Sequence, residues 1–563
     1  MIAQDFRKYT LAAPEYDEIA AEYEQLFRAL DAASSGDAAV AAVEAWDALR
    51  RRLSTWNSLV NIRFHQDTRN DEYKQAREYC DELEPKLTNL AVAMKRRLKA
   101  NPHRDALVRR FGTQVFQLWD CDIAAFDPAI EDDLVREAKL QTEYTSLLAS
   151  PRFDFLGEKL TLSEITKFSE FADREVRHAA ARVRWGWFAE NQQRLDSLFD
   201  ELVRLRQQMA EKLGYANFIA VGYERMHRVD YDQTHVERFR AQVRDHVVPL
   251  ATEIRQRQAA QLGIDRLMAW DESVHDLAGN PRPAGDHDWM VQRAEQMFAE
   301  FGVGMDEFFE KMSAADLMDL KSREGKAGGG FCDVLPDFGM PFIYANFNGT
   351  RKDVEVFTHE MGHAFQVYSS LHQPLLDYFF PTTESCEIHS MGLEFLTWPQ
   401  MELFFGDDAA RFRRLHLTES MLFLPYGVAV DHFQHLVYAA PNASPDERAA
   451  MWQEMERTYL PWLDWGDLAH PASGRRWQAQ IHIFSDPFYY IDYTLALTCA
   501  LQLWVRASEN RDTALADYVQ LCRRGGEAPF RELVESAGLK SPFDDGCLQQ
   551  TVEMARRELG LLE

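Results

Sequence analysis

Apolar residues along most of this chain recur at the three- and four-residue spacing of an α-helix. The longest such stripe runs through residues 195–213 and ends at Gly214, a residue that suits the left-handed conformation just beyond a helix. Similar patterns cover residues 16–53, 71–98 and 134–148. The chain is therefore predicted to be mainly α-helical.

One short segment departs from the helical pattern. Residues 342–347 (FIYANF) are aromatic and β-branched and precede an Asn-Gly turn at 348–349, which is typical of a strand. Thr350, followed three residues later by Asp353, resembles a helix N-cap with an acidic first turn. Helical spacing resumes at Val354. We predict a strand, a tight turn and a helix, in which the strand either supports the helix or offers its edge to an extended peptide.

This helix carries the sequence HEMGH at residues 359–363. Residues four apart share one face of a helix, so His359 and His363 can reach one metal ion. Glu360 follows the first histidine and is well placed to take a proton from a water molecule on that metal. The spacing is that of a zinc hydrolase.

A catalytic zinc usually takes three protein ligands and leaves one position open. The third ligand is expected in the acidic segment 381–394, downstream of the two histidines. Spacing alone does not choose among its members, which are Glu384, Cys386, Glu387, His389 and Glu394.

These features together resemble the M3 metallopeptidases, most closely the oligoendopeptidase F and Pz-peptidase branch. In that family HExGH is followed some two dozen residues later by a glutamate, and seven residues after it by another. Glu387 lies 24 residues after His363 and seven before Glu394, so the resemblance selects Glu387 as the third ligand. Glu394, or Glu355 one turn before His359, is then either a partner for a ligand histidine or an ordinary acid on a helix face.

A second segment near the C-terminus is similar to an M3 block whose histidine and tyrosines hold substrate and stabilise the oxyanion. The resemblance assigns these roles to His482, Tyr490 and Tyr493, because a phenol can donate a hydrogen bond to developing negative charge. Tyr489 is an alternative, and simple aromatic packing is another. Two further segments, 223–231 and the glycine-rich 321–332, also resemble family elements, the latter read as a loop lining a cleft or as a plain linker.

The composition limits the classes of partner. The chain has 563 residues and a formal net charge of −28, which argues against nucleic acid because no cationic surplus neutralises phosphates. No long apolar stretch and no secretory signal are visible, so neither a membrane span nor export is expected. Seven scattered cysteines without CxxC pairing indicate reduced thiols and a cytoplasmic protein.

The resemblance also implies an architecture and an activity. We expect a mainly α fold of the zincin type with two lobes flanking a deep substrate channel, and a small sheet beside the HExxH helix. Residues 1–190 form an N-terminal helical region and residues 191–563 a catalytic region with one Zn²⁺ per chain. The predicted activity is endopeptidase cleavage of short peptides.

Two alternatives stay open at this point. A zinc exopeptidase of the dipeptidyl carboxypeptidase or carboxypeptidase type also carries HExxH, but it needs a group that binds a substrate terminus. A non-catalytic peptide-binding protein is the remote alternative. It is disfavoured because a purely structural zinc site has no use for the base Glu360.

Overall fold

The computed structural model describes residues 5–561, which are mostly helical. Their α-helices are α1 (Tyr16–Asp31), α2 (Gly36–Gln66), α3 (Asp71–Lys99), α4 (Arg104–Phe111), α5 (Gln114–Ala124), α6 (Glu131–Ala149), α7 (Arg174–Lys212), α8 (Phe218–Arg225), α9 (Gln233–Gln242), α10 (Val248–Gln261), α11 (His287–Phe301), α12 (Met305–Ala314), α13 (Arg351–Ser370), α14 (Thr383–Leu396), α15 (Glu402–Phe405), α16 (Ala409–Ala439), α17 (Pro445–Tyr459), α18 (Ile481–Ser485), α19 (Tyr490–Glu509), α20 (Arg511–Arg524), α21 (Phe530–Ser536) and α22 (Gln549–Glu558). The strands are β1 (Phe153–Phe155), β2 (Glu158–Leu160), β3 (Met318–Lys321), β4 (Phe331–Leu335) and β5 (Met340–Phe347).

The helical periodicities predicted most of these elements. The patterns at 71–98 and 134–148 correspond to α3 and α6, and α7 ends just before Gly214, whose φ is +85°. The pattern at 16–53 is two helices rather than one, because Ser35 caps the start of α2 by accepting a hydrogen bond from the Ala38 amide. The mainly α prediction is confirmed.

The predicted strand at 342–347 is confirmed as β5, but β5 is not an edge strand. It lies in the middle of a three-stranded sheet of order β3-β5-β4, parallel to β3 and antiparallel to β4. Its backbone is thus engaged on both sides, and an extended peptide can add only to an outer strand. The prediction that the strand before the zinc helix offers its own edge is therefore wrong.

The turn between β5 and α13 is held by an acidic side chain rather than by the predicted threonine cap. Thr350 occupies the N-cap position but its side chain caps no amide. Instead, the carboxylate of Asp353 accepts hydrogen bonds from the backbone amides of Asn348 at 3.0 Å and Gly349 at 2.6 Å. This carboxylate in the first turn stabilises the positive end of the helix dipole and fixes where α13 begins.

The glycine-rich segment between β3 and β4 is a loop bound to its surroundings. Lys326 is fully buried and donates from its ammonium group to Asp319 at 2.9 Å. The phenol of Tyr344 on β5 donates to the carbonyl of Ala327 at 2.5 Å, and the Asn346 amide donates to Gly329 at 2.9 Å. These contacts tie the loop to β3 and β5 and set the position from which β4 starts.

The chain folds into two compact units. The first draws on residues up to 126 and on 282–409 and 499–541, and it contains the three-stranded sheet, α13 and α14. The second draws on 127–281, 410–498 and the residues from 542 onward. One boundary between the units falls between Pro281 and Arg282. The division at residue 190 stays a prediction.

No helix within residues 5–561 is long and apolar enough to cross a membrane. No cysteine among residues 5–561 forms a disulfide bond.

Candidate active site

The two histidines of α13 and one glutamate of α14 converge on a single point. Nε2 of His359 lies 3.3 Å from Oε2 of Glu387, and Nε2 of His363 lies 3.4 Å from the same oxygen. These three residues are the only candidate metal-ligating group among residues 5–561. Ligand atoms about 2.0–2.1 Å from a tetrahedral zinc lie about 3.3–3.5 Å apart. Two imidazole nitrogens and one carboxylate oxygen at this spacing therefore fit a zinc ion.

A glycine lets α13 and α14, the helices that carry the candidate ligands, approach each other closely. A Cβ on Gly362 would lie 2.4 Å from the carbonyl oxygen of His389 and 2.7 Å from Cα of Ser390, both on α14. Any side chain at this position would force the helices apart, because both contacts are with backbone. The glycine of HEMGH thus controls how far Glu387 lies from the two histidines.

The side chains of this candidate ligand group are oriented by a second set of contacts. Nδ1 of His359 donates a hydrogen bond to Oε1 of Glu394 at 2.7 Å, which leaves Nε2 free to bind a metal. The hydroxyl of Ser390 donates to Oε2 of Glu387 at 2.9 Å. Glu355, the other acid considered for this role, forms its ion pairs with Arg351 and Lys352 on its own helix.

Glu360 is buried beside the ligand group and next to the start of β4. Burial raises the pKa of its carboxyl group, and the two neighbouring histidines oppose that shift. Oε1 of Glu360 would lie 3.4 Å from a Cβ placed on Gly330, the residue that precedes β4. Glycine at 330 therefore keeps open the space over this carboxylate.

The other third-ligand candidates lie outside the group. Glu384 is buried, and the thiol of Cys386 donates to the carbonyl of Pro381 at 3.2 Å. His389 is buried against Tyr518, and burial lowers the pKa of its imidazole to about 4. Neither nitrogen of His389 makes a hydrogen bond within residues 5–561. Of the five candidates for the third ligand, only Glu387 places a ligand atom close to those of both histidines.

The predicted substrate-binding residues form a second cluster, in the second unit. The ring of His482 lies 5.1 Å from that of Tyr490 and 5.8 Å from that of Tyr493, centre to centre. Tyr489 also packs here, 5.6 Å from His482 and 4.8 Å from Tyr493. All four side chains are half-buried, so each presents part of its surface to solvent.

A chain of hydrogen bonds sets the tautomer of His482. The phenol of Tyr426 donates to Oε1 of Gln480 at 2.8 Å, and Nε2 of Gln480 donates to Nδ1 of His482 at 2.9 Å. An imidazole that accepts at Nδ1 carries its proton on Nε2. His482 can therefore act as a hydrogen-bond donor through Nε2.

Comparison with known proteins agrees with this geometry. The model of the Peptidase M3 N-terminal domain matches residues 6–126, and that of Peptidase family M3 matches residues 168–279 and 291–553. The chain is an M3 peptidase. It is accordingly a metallopeptidase that hydrolyses peptide bonds, in a family that is generally zinc-dependent.

Solved structures of similar proteins cover the whole M3 chain. A structure of Pz peptidase A with an inhibitor is 42% identical, covers 99% of this chain and 100% of its own, and has a TM-score of 0.95. An oligoendopeptidase F structure is 44% identical with a TM-score of 0.95, covering 100% of this chain and 99% of its own. Another, from Bacillus anthracis str. Ames, is 40% identical with a TM-score of 0.90 and the same coverage. A search of curated proteins gave no match.

Residues 223–231 of this M3 peptidase resemble a family element, but the sequence assigned them no role. In the structure, Arg228 of this segment contacts residues on both sides of Tyr489 and Tyr490. A guanidinium nitrogen of Arg228 donates to the carbonyl of Phe488 and, at 2.9 Å, to Oδ1 of Asp492. Phe488 has a φ of +69°, a conformation that costs energy for any residue with a Cβ. Gly222 leaves room for its ring, since a Cβ there would lie 2.4 Å from it.

These contacts show how the turn before Tyr489 and Tyr490 is held. Arg228 bonds to Phe488, directly before the two tyrosines, and to Asp492, two residues after them, so it holds both ends of the segment that carries them. The sequence around Arg228 does not indicate these contacts, because the partners of Arg228 lie more than 250 positions away in the chain.

Proposed function

We propose that this M3 peptidase is a zinc-dependent endopeptidase that cleaves internal bonds of short peptides. The observation that carries the proposal is the meeting of His359, His363 and Glu387 at one point, at distances of 3.3 and 3.4 Å that suit a tetrahedral zinc. One Zn²⁺ per chain is expected, bound by these three residues. Zinc held there would supply Lewis-acid activation of a water molecule and of the scissile carbonyl.

The neighbouring side chains have defined tasks in this proposal. The carboxylate of Glu360 takes a proton from the attacking water and later delivers it to the leaving amine. Burial, which raises the pKa of Glu360, makes the carboxylate a stronger base for that transfer. Glu394 keeps Nε2 of His359 aimed at the metal through its bond to Nδ1.

The cluster in the second unit supplies hydrogen-bond donors. Tyr490 and Tyr493 carry phenol groups and His482 carries its proton on Nε2, so all three can donate to the oxyanion or to the peptide backbone. The bond from Gln480 to Nδ1 supports the donor role of His482. Tyr489 belongs to the same cluster and is the alternative donor.

Strand β4 is the part of the sheet that we propose pairs with substrate. It has one neighbour, β5, in the three-stranded sheet, and it starts next to Gly330 and hence beside Glu360. A peptide added to this edge is recognised through its backbone and needs no free terminus. This geometry favours an endopeptidase over an exopeptidase.

The decisive test uses an internally quenched peptide of about eight residues, a length that pairs with one strand, blocked at both ends. Cleavage by the wild-type protein should stop with a chelator and return with zinc. Glu360→Gln should still bind zinc, measured by metal analysis after dialysis, yet lose most turnover. Cleavage only of peptides with a free terminus would favour the exopeptidase alternative. Zinc binding without hydrolysis of either kind would favour a peptide-binding protein.

We also propose that the enzyme acts in a reducing compartment, the cytoplasm. The lack of disulfide bonds among the seven cysteines of residues 5–561 supports this.

A further inference from the structure

A cavity of about 400 Å³ lies within the second unit, next to the His482 cluster. Its walls include the aromatic side chains of Trp185, Trp270, Tyr426 and Trp465. Four charged side chains also line it, namely Arg177, Arg184, Glu272 and Arg476. We call this cavity the arginine pocket.

Two of the four charges are neutralised by neighbours. Arg177 donates to Oδ1 of Asp271 at 2.8 Å and to three backbone carbonyls. Glu272 pairs with Arg255 at 3.2 Å and accepts a hydrogen bond from the indole of Trp462 at 3.1 Å. Neither group needs a ligand.

The other two charges have no such partner. Within residues 5–561, neither Arg184 nor Arg476 forms an ion pair, and the buried Nε of Arg184 makes no hydrogen bond. Burial, together with the nearby charge of Arg476, lowers the pKa of Arg184 to about 10. The carboxylate of Glu456 is near enough for the charge of Arg476 to lower its pKa, but it forms no ion pair with Arg476 and accepts hydrogen bonds from the indoles of Trp452 and Trp465. Two like charges kept close together, with no acid among residues 5–561 paired to either, oppose folding. This cost is explained if an anion occupies the pocket during function.

The guanidinium groups are held in a geometry that suits an anion. Arg184 lies over the ring of Trp185 at 4.6 Å, and Arg476 lies over Tyr426 at 4.5 Å and Trp465 at 5.4 Å. Stacking on a ring occupies the flat face of a guanidinium and leaves the N–H groups at its edge available. Those edges match the two oxygens of a carboxylate.

The pocket connects directly with the groups proposed to hold substrate. Tyr426, which stacks under Arg476, donates to Gln480, and Gln480 in turn orients His482. The ring of Tyr426 also packs edge-on against Tyr490 at 5.8 Å. If His482 and Tyr490 contact the peptide, as the proposed function requires, the pocket lies beside the bound peptide.

We propose that the arginine pocket is a substrate subsite in which Arg184 and Arg476 bind a peptide carboxylate. This inference rests on the proposed function. A peptide can offer that carboxylate from its C-terminus or from an acidic side chain, and both present the same pair of oxygens. The pocket thus sets a preference for anionic peptides in spite of the net charge of −28 on the protein.

The test compares matched peptides. One pair of quenched peptides differs only in a free-acid or an amidated C-terminus. A second set, amidated throughout, carries Glu or Gln at each position in turn. For the wild type, kcat/KM should be on the order of ten- to a hundredfold higher for the anionic member at one of these sites, the range expected for charge-assisted hydrogen bonds.

The variants Arg184→Gln and Arg476→Gln should bring that ratio close to 1. The corresponding lysine variants keep the positive charge but lose the paired N–H groups that bind both carboxylate oxygens, so they should give intermediate ratios. Arg182→Gln is the matched control, because Arg182 lies on the same helix and is exposed. It should leave the ratio at the wild-type value.

Each result has one meaning. A preference in the first pair assigns the C-terminal carboxylate, and a preference in the second set assigns an acidic side chain. A wild-type ratio near 1 everywhere, or a ratio unaffected by both glutamine variants, overturns the proposal. If no blocked peptide is cleaved, the endopeptidase proposal fails separately, and the affinity of the same labelled peptides for wild type and Arg476→Gln, measured by fluorescence anisotropy, tests the pocket.

Discussion

Replacing Gly362 by alanine tests whether the metal site depends on the close packing of α13 against α14. The new methyl carbon would lie 2.4 Å from the His389 carbonyl oxygen and 2.7 Å from Cα of Ser390. Since carbon atoms pack at about 3.5–4.0 Å, the helices must separate by on the order of 1 Å. Both contacts are with backbone, so no side-chain rotation can relieve them.

The two consequences of this shift differ in size. Overpacking costs about 1–3 kcal/mol, and alanine returns about 1 kcal/mol of helix propensity, so the fold should survive. Metal sites tolerate ligand displacements of only about 0.2 Å. A shift of Glu387 relative to His359 and His363 should therefore weaken zinc binding on the order of 10- to 100-fold, the range seen when the support of a ligand is lost.

Zinc affinity is measured by competition with a coloured chelator, and stability by urea unfolding. Gly392→Ala, on the facing helix α14, is the control, because the atoms nearest to its methyl carbon belong to the side chains of Leu503 at 3.2 Å and Tyr518 at 3.5 Å. It should bind zinc like the wild type. If Gly362→Ala also binds zinc with wild-type affinity, the helix contact does not control the ligand geometry and the reasoning fails.

Three further outcomes are expected. Glu394→Gln should lower zinc affinity about 10- to 100-fold, because it removes the carboxylate that holds Nδ1 of His359; equal affinity in chelator competition would contradict this. Tyr493→Phe should lower kcat on the order of 10²-fold with little change in KM if its phenol donates a hydrogen bond in the transition state. An unchanged kcat would mean that Tyr493 serves only in aromatic packing. Arg228→Met should cost about 3–5 kcal/mol in urea unfolding because it leaves the buried carboxylate of Asp492 without its cation, and adding Asp492→Asn should recover part of the loss.

Local patterns in the sequence determined most of the helices and the histidine pair proposed to bind metal. Residues four apart on a helix face the same way whatever surrounds them, so the spacing of His359 and His363 was informative without a fold. The same holds for Gly214, whose φ of +85° ends α7, and for the aromatic run that became β5. Each of these features depends on neighbours within one or two turns of chain.

The proposed third ligand lay at the limit of what the sequence could decide. Spacing left five candidates open, and only the family resemblance selected Glu387. The structure brings Glu387 to the histidines because α14 packs closely on α13 at Gly362. The structure also shows which acid contacts a candidate ligand histidine. Glu394 bonds to His359, whereas Glu355 pairs with Arg351 and Lys352. Both acids have helical spacing from a ligand, so only the packing of two helices distinguishes them.

Contacts between distant parts of the chain were decided by tertiary structure alone. Nothing local places β5 in the middle of its sheet, since strand order depends on how three separate segments pair. Arg228 meets its partners across more than 250 residues, and Arg184 and Arg476 reach one pocket from 292 residues apart. Whether a charge is paired, buried or left for a ligand depends on which side chains long-range folding brings within about 4 Å. Helical periodicity carries no information about that distance.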